Sequence, residues 1–496
     1  MNVEGMRKRL TVGAIWTGVG RFVINLVGIA STLVLARLLT PADFGLVAIA
    51  NIAFAITGAF TELSLGAALI QNPVPRREHY DTAWTLNILR AFAIGAVLCI
   101  SAYPVAVAYD DKRLIEIMYV LGVGALVGGL VNPKLVDFRR KLSFRQEMLI
   151  EVANKLVGFV VGACIAYWFR SYWALVIGSL ASQVSGLILS YVLIPFLPRF
   201  SLEYWRSLFS FSGWLALSSG LSAINYRADH LAIGAVLGTG PLGQYSVGDN
   251  LASLPVREST APLASVLFPA FSRLQDDTER LREAFLRSQC LLVAAALPVG
   301  VGFALVAAPL VQLVLGPQWA SAALVIQVLS PVFAAVAFAT PLTPLAMGLG
   351  QTRLLFARDV LFIVVRYPLI FAGLFWGGLL GLLLARCVSG LSSIAFDIYL
   401  ARRLAGASVS SQIISSWRAL AATCVMAAGV WALGVLGVSR PVYLDLALLV
   451  IGGAISYLGT TLALWLAAGR PAGPEQEALD LLQFLRRRAA GAPSQN

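Results

Sequence analysis

The chain is a succession of apolar segments of about 20 to 30 residues, each long enough to cross the roughly 30 Å hydrocarbon layer of a bilayer. Divided where turn residues and charges cluster, the sequence yields fourteen of them, from 13–38 and 44–70 through 207–237 and 242–270 to 443–468. None alternates polar and apolar residues with period two, so the segments are helices rather than barrel strands. With 58% hydrophobic and 12% charged residues, the chain carries far more apolar surface than a soluble core holds. The expected fold is all-α and polytopic, with about fourteen transmembrane helices.

The net charge of +12 falls mostly between the segments. Counting from the N-terminus, the even-numbered loops and both termini hold 24 Lys and Arg, and the odd-numbered loops hold five. Basic residues are retained on the cytoplasmic side, which places both termini and every even loop in the cytoplasm. No basic stretch is interleaved with aromatics as a nucleic-acid module requires, so no nucleic-acid partner is expected. The outward loops are short, leaving no external domain. Lys134, Arg139, Arg140, Lys141 and Arg145 crowd the fourth loop beside Phe138 and Phe144, the composition of an interfacial elbow; a plain topology signal explains it equally well. After Gly469, an amphipathic run over 475–488 ends in three arginines and is expected to lie on the anionic inner leaflet.

Internal repetition organises these segments. The stretch ARLLTPADFGLVAIAN at 36–51 returns in degraded form as GAVLGTGPLGQYSVGDN at 234–250 when Gly45 is set on Gly243. Two similar halves with polar groups buried in the membrane are a transporter signature.

Ionisable residues within spans are costly and are candidates for function. On the first helix Arg21, Asn25, Gly28 and Thr32 share one face; on the second, Asn51, Ala55, Gly58 and Glu62 do the same. Ser218, Ser222, Asn225 and Asp229 repeat this spacing on the seventh, and Asp249, Ser253, Val256 and Thr260 on the eighth. The four stripes are expected to line one wet cavity, against the alternative that Ser and Thr merely bond their own backbone. Arg257 lies about 80° around the helix from Asp249, within reach of the same space, and Glu258 about 180° away, toward another helix. Arg227 opposes the Asp229 stripe and is either a structural ion-pair partner or cavity-exposed. Arg21 and Glu62, at similar depth, are placed to pair. Arg90, Glu151, Lys155, Arg366, Arg386 and Asp397 are expected to form packing ion pairs, and His230 a hydrogen-bonded interior group.

Motifs for catalysis are absent: there is no HExxH, GxSxG, Walker A or paired CxxC, and the two histidines lie on different segments. The five cysteines sit singly in apolar runs and are expected to be core residues, without metal or disulfide.

Four stretches together carry a family likeness: LVLARLLTPADFGLVAIA with LSLGAALIQ, the elbow FRRKLSFRQ, the run RADHLAIGAVLGTGPLGQYSVGDNLASLP, and FPAFSRLQDD. Over about residues 10–430 the chain resembles the polysaccharide-transporter branch of the multidrug/oligosaccharidyl-lipid/polysaccharide exporter superfamily, the Wzx-type flippases. That resemblance implies two pseudo-repeated six-helix lobes, residues 1–200 and 201–410, followed by two additional helices over 411–468 and a basic cytoplasmic tail over 469–496. It implies a central cavity among the first, second, seventh and eighth helices, with cations that hold a substrate diphosphate. Arg21 and then Arg257 carry over as those cations, with Asn25 and Arg227 beside them.

The function so implied is non-enzymatic: a bacterial inner-membrane flippase for an undecaprenyl-diphosphate-linked oligosaccharide, working by alternating access beside polysaccharide polymerase or export machinery. No cofactor is expected beyond a coupling H⁺ or Na⁺, with Asp249, Glu62 and Asp229 as its candidate sites and Arg139, Arg140 and Lys141 as the elbow cations. Across the four cavity helices three arginines face four acids, which keeps a multidrug exporter of the same superfamily as the alternative. A membrane polymerase or ligase is disfavoured because it needs a large outward loop, and a purely structural membrane protein by the number of buried charges.

Overall fold

The computed structural model describes residues 3–62, 65–71, 74–141, 143–206, 213–436, 441–471 and 473–477. Among these there is no strand. The chain forms two compact units, Met1–Ser246 and Val247–Asn496.

The first unit contains α1 (Val3–Leu38), α2 (Pro41–Phe60), α3 (Leu65–Gln71), α4 (Arg77–Ala108), α5 (Arg113–Gly129), α6 (Val136–Arg140), α7 (Phe144–Phe169), α8 (Trp173–Leu193) and α9 (Gly213–Leu237). The repeat motif supplies the α1–α2 junction. Thr40 caps α2: its hydroxyl accepts from the Asp43 amide, and the Asp43 carboxylate accepts from the Thr40 amide over 2.9 Å. Pro41 at the first helical position completes a capping box written in the sequence as T-P-A-D. Small residues let neighbouring helices approach, as membrane packing favours. A Cβ on Gly158 would stand 3.0 Å from the Gly178 carbonyl, where α7 crosses α8. Buried Asn132 pins the bend after α5 to the end of α8, donating to the carbonyls of Ser190 and Ile194. Between α4 and α5, Asp111 accepts from the Arg113 guanidinium and amide, and that guanidinium holds its carboxyl below the usual carboxylate range.

The second unit holds most of α10 (Thr239–Ala264), α11 (Leu267–Arg273), α12 (Thr278–Leu305), α13 (Ala307–Val314), α14 (Ala320–Ala335), α15 (Leu342–Gly348), α16 (Thr352–Ala405), α17 (Val409–Ser415), α18 (Trp417–Leu436) and α19 (Val442–Ala467). Its core gathers Val256, Phe271, Phe285, Leu292 and Leu400. The buried Gln289 amide NH2 donates to the Phe338 carbonyl and to the Gln412 side-chain oxygen, and the Gln412 NH2 donates to the carbonyls of Ile398 and Ala407. At 54 residues α16 would reach about 80 Å if straight, more than twice the hydrocarbon thickness. It breaks at Gly378, where φ is +55° and ψ −137°, a conformation open to glycine alone. The two arms meet at Gly373 and Gly381 and are tied by Arg358 to Asp397, 3.6 Å apart.

Among the described residues ten helices are long and apolar enough to cross a membrane, or eleven when α5 and the segment Pro133–Arg140, bent by 60°, are taken as one span. This is a multi-pass membrane protein. That number is below the fourteen expected. α16, 54 residues long and broken at Gly378, is counted once. α10 is too polar to be counted, with Asp249, Arg257 and Glu258 in its length.

The cysteine expectation is corrected in part. Cys290 is buried and donates to the Ser415 carbonyl, whereas Cys99, Cys164 and Cys424 are exposed. Apolar neighbours in the sequence do not report burial when the outer helix face meets lipid. The tail beyond 477 lies outside the described residues; at its start Glu475 pairs with Arg418 over 3.1 Å and Glu477 with Arg287.

Candidate functional site

The candidate residues lie on α1, α2 and α9 of the first unit and on α10 of the second. Arg21 is exposed and Asn25 half-buried on α1. α1 packs along α7, so the charges that Arg21 meets come from there: it acts electrostatically on Glu151. Two helical turns on from Arg21, a Cβ at Gly28 would stand 3.5 Å from the Lys155 side chain. Thr32 donates to the Gly28 carbonyl, a local bond of the kind that discounts a hydroxyl as a cavity group.

Glu62 is corrected in two respects. α2 ends at Phe60 with Thr61 as its cap, so Glu62 lies past the helix and does not continue the stripe of Asn51, Ala55 and Gly58. Its charge partner is Arg90 rather than Arg21. Arg90 donates to the Gly58 carbonyl over 3.0 Å and to the Thr61 hydroxyl, where the unsatisfied carbonyls of a helix end attract a cation.

On α9 the structure buries what the stripe offered. Asp229 is fully buried; the Tyr245 hydroxyl donates to it over 3.4 Å, and the His230 ring stands edge-on to Tyr245 with centroids 5.0 Å apart. Asn225 is half-buried, and the side chains of Ser218 and Ser222 lie outside the described residues. Arg227, on the opposite face, is exposed.

The second unit treats α10 the same way. Asp249 pairs with Arg386 of α16 over 3.6 Å, the two side chains only 23% and 14% exposed. Val256 belongs to the core, and Ser253 and Thr260 bond backbone carbonyls. The exposed face carries Arg257, 3.7 Å from Glu258, whose carboxylate was expected to turn toward another helix. Long side chains on adjacent residues converge across the 100° between them. Asp229, Asp249 and Val256 therefore face protein, and among the described residues of α9 and α10 Arg227, Arg257 and Glu258 are exposed charges. Among the described residues no group of three or more His, Cys, Asp or Glu is placed to hold a metal.

Residues 34–324, more than half the chain and including both copies of the repeat, match the family described as "Polysaccharide biosynthesis protein". The chain belongs to that family. It is 25% identical over 422 residues to the lipopolysaccharide biosynthesis protein WzxC of Escherichia coli (strain K12), covering 83% of this chain and 85% of that one. It is 26% identical over 328 residues to the succinoglycan biosynthesis transport protein ExoT of Rhizobium meliloti (strain 1021), covering 65% and 66%. In three dimensions it is similar to lipid II flippase MurJ in an inward closed conformation, with a TM-score of 0.72 at 11% identity over 93% of this chain and 100% of that one. The fold is thus similar to that of MurJ.

For a polysaccharide biosynthesis protein of this fold, three charge relationships were not readable from helix periodicity. Arg90 serves the end of α2, Arg386 answers Asp249, and Glu151 with Lys155 faces α1. Only the last left a trace in the sequence, as an acid and a base four residues apart on one helix face.

Proposed function

We propose that the protein is a flippase that carries a polyprenyl-diphosphate-linked oligosaccharide across the bacterial inner membrane by alternating access. The observation that carries this reading is a membrane-spanning polysaccharide biosynthesis protein whose accessible in-span charges include the cations Arg21, Arg227 and Arg257. A sugar diphosphate has to meet positive charge wherever water is excluded, and the prenyl chain stays in lipid. Arg21 and Arg257 are the cations assigned to that encounter. Proton or Na⁺ binding at Asp249, Glu62 or Asp229 resets the empty carrier by weakening an existing interaction: the ion pair with Arg386 for Asp249, the electrostatic attraction of Arg90 for Glu62, the hydrogen bond from Tyr245 for Asp229.

Both termini are assigned to the cytoplasm, with fourteen crossings. Reporter fusions after Asp110 and Arg440 are expected to read outside and one after Arg140 inside; the opposite result at either outer position overturns the span count.

The function is tested with purified full-length protein in vesicles carrying a polyprenyl-diphosphate-linked oligosaccharide, by following the sugar's accessibility to a membrane-impermeant oxidant. Transfer at least tenfold faster than in protein-free vesicles is expected. Uptake of a cationic drug with the sugar-lipid immobile supports the multidrug alternative instead, and elongation of the sugar a polymerase.

A further inference from the structure

At the end of the first unit where α4 begins, α5 bends into α6 and α8 ends lies a cavity of about 940 Å³ that none of the assignments above uses. Its wall includes Arg77, Tyr80, Lys134, Arg140, Tyr191 and Phe196. Three cations face one carboxylate, Asp137, and Asp137 is already engaged: it accepts from the Tyr80 hydroxyl over 2.6 Å and lies 3.9 Å from Arg140. Arg77 donates to the Leu197 carbonyl and lies 3.6 Å from Asp81.

Lys134 differs from both arginines. Its ammonium sits 4.7 Å from the centroid of Phe196 and 5.9 Å from that of Tyr80, over two aromatic faces, and among the described residues no carboxylate lies within 4 Å of it. Ring faces offset only part of an ammonium's lost hydration, so a half-buried Lys134 favours an anion in the cavity.

The cavity is preformed. Asn132 fixes the backbone beside Lys134 through Ser190 and Ile194, the Tyr191 hydroxyl donates to the Leu130 carbonyl, and the Arg199 amide donates to Asp81. The volume lies within the range of small-ligand sites. Pro75, Pro195 and Leu197 line it beside the cations, and Leu197 is 82% exposed, so the wall joins apolar surface to positive charge. An amphiphile with an anionic head matches that sequence of surfaces. With Asp81 counted beside Arg77 the excess is one positive charge, and guanidinium forks together with an ammonium suit phosphate oxygens.

We propose that this cavity binds the phosphate of an anionic lipid headgroup, with Lys134 as its central contact and Arg77 and Arg140 flanking. Of the elbow cations in the sequence, Arg140 lines the cavity, whereas Arg139 is paired with Glu147 and mostly exposed.

The test uses the delipidated full chain in neutral detergent and native mass spectrometry. Short-chain phosphatidylglycerol, phosphatidylcholine and inorganic phosphate are titrated separately onto the wild type, Lys134→Gln, Lys134→Arg and, as a control outside the cavity, Arg402→Gln. One phosphatidylglycerol is expected to bind wild type and Arg402→Gln at concentrations where phosphatidylcholine and phosphate do not. Lys134→Gln should weaken it about tenfold and Lys134→Arg largely restore it. Equal affinity of Lys134→Gln and wild type overturns the site, as does equal binding of both lipids by wild type, which needs no variant to fold. Phosphate binding as tightly as phosphatidylglycerol, and lost in Lys134→Gln, overturns the headgroup and assigns the site to free phosphate.

Discussion

Replacing Gly45 or Gly243 by alanine is expected to cut transport about a hundredfold while leaving the protein folded. A Cβ on Gly45 would fall within the van der Waals shell of the Thr239 carbonyl oxygen and 3.0 Å from the Gly243 nitrogen; one on Gly243 would fall on the Pro41 carbonyl oxygen and 2.8 Å from the Gly45 nitrogen. These are backbone atoms, so no rotamer change relieves the clash. The contact is also reciprocal. The alignment that sets Gly45 on Gly243 also sets Pro41 on Thr239, so each glycine meets the counterpart of the residue its own repeat supplies to the other, as at a two-fold axis. Overpacking of this kind costs about 3 kcal/mol, and that is roughly a hundredfold in population. If this crossing is one of two arrangements that alternate during transport, the methyl group depopulates it without unfolding the helices around it. The check is the initial rate of sugar-lipid transfer per folded protein, alongside thermal unfolding. Wild-type rates for both variants contradict the assignment, and a lowered Tm with an unchanged rate identifies static packing.

Removing Arg386 is expected to destabilise the second unit strongly. Its pair with Asp249 is mostly shielded from water, and its guanidinium lies 5.7 Å from the centroid of the Phe333 ring. Breaking such a pair from one side leaves a buried charge and costs about 3–5 kcal/mol, whereas removing both charges is often close to neutral. Arg386→Ala should therefore lower Tm sharply, and Arg386→Ala with Asp249→Ala should recover most of the loss. Asp249→Asn tests coupling: its carboxamide copies a protonated carboxyl while keeping the side chain's shape, so it is expected to lower Tm because Arg386 loses its counter-charge, while the folded protein carries sugar-lipid without dependence on the driving ion. Ion dependence unchanged in a folded Asp249→Asn protein removes Asp249 from the coupling site.

Much of the fold was legible because it is written locally. The lengths of the apolar runs and the turn residues that separate them each depend on a few consecutive residues. The repeat was legible too, and the structure gives it a physical content at Gly45 and Gly243. The candidate site was legible only as an inventory. Periodicity sorts Asp229 from Arg227 and Val256 from Arg257 onto different faces, but in a membrane protein it does not say which face meets protein. Here the acid of each stripe met protein: Asp229 accepts from Tyr245, and Asp249 pairs with Arg386. Those partners come from other helices, and spacing within one helix carries no information about them. Glu62 was misplaced for a smaller reason: the helix that should have carried it is closed by Thr61 and Arg90 two residues earlier.

The central claim, that accessible in-span cations carry a sugar diphosphate through the membrane, is tested most directly by transfer of the lipid-linked oligosaccharide in reconstituted vesicles with wild type, Arg21→Ala, Arg257→Ala and the double variant. Transfer by wild type, a loss of about tenfold or more in each folded single variant, and partial recovery in Arg21→Lys are the predicted results. Folded single and double variants that move the sugar-lipid at the wild-type rate would contradict the account.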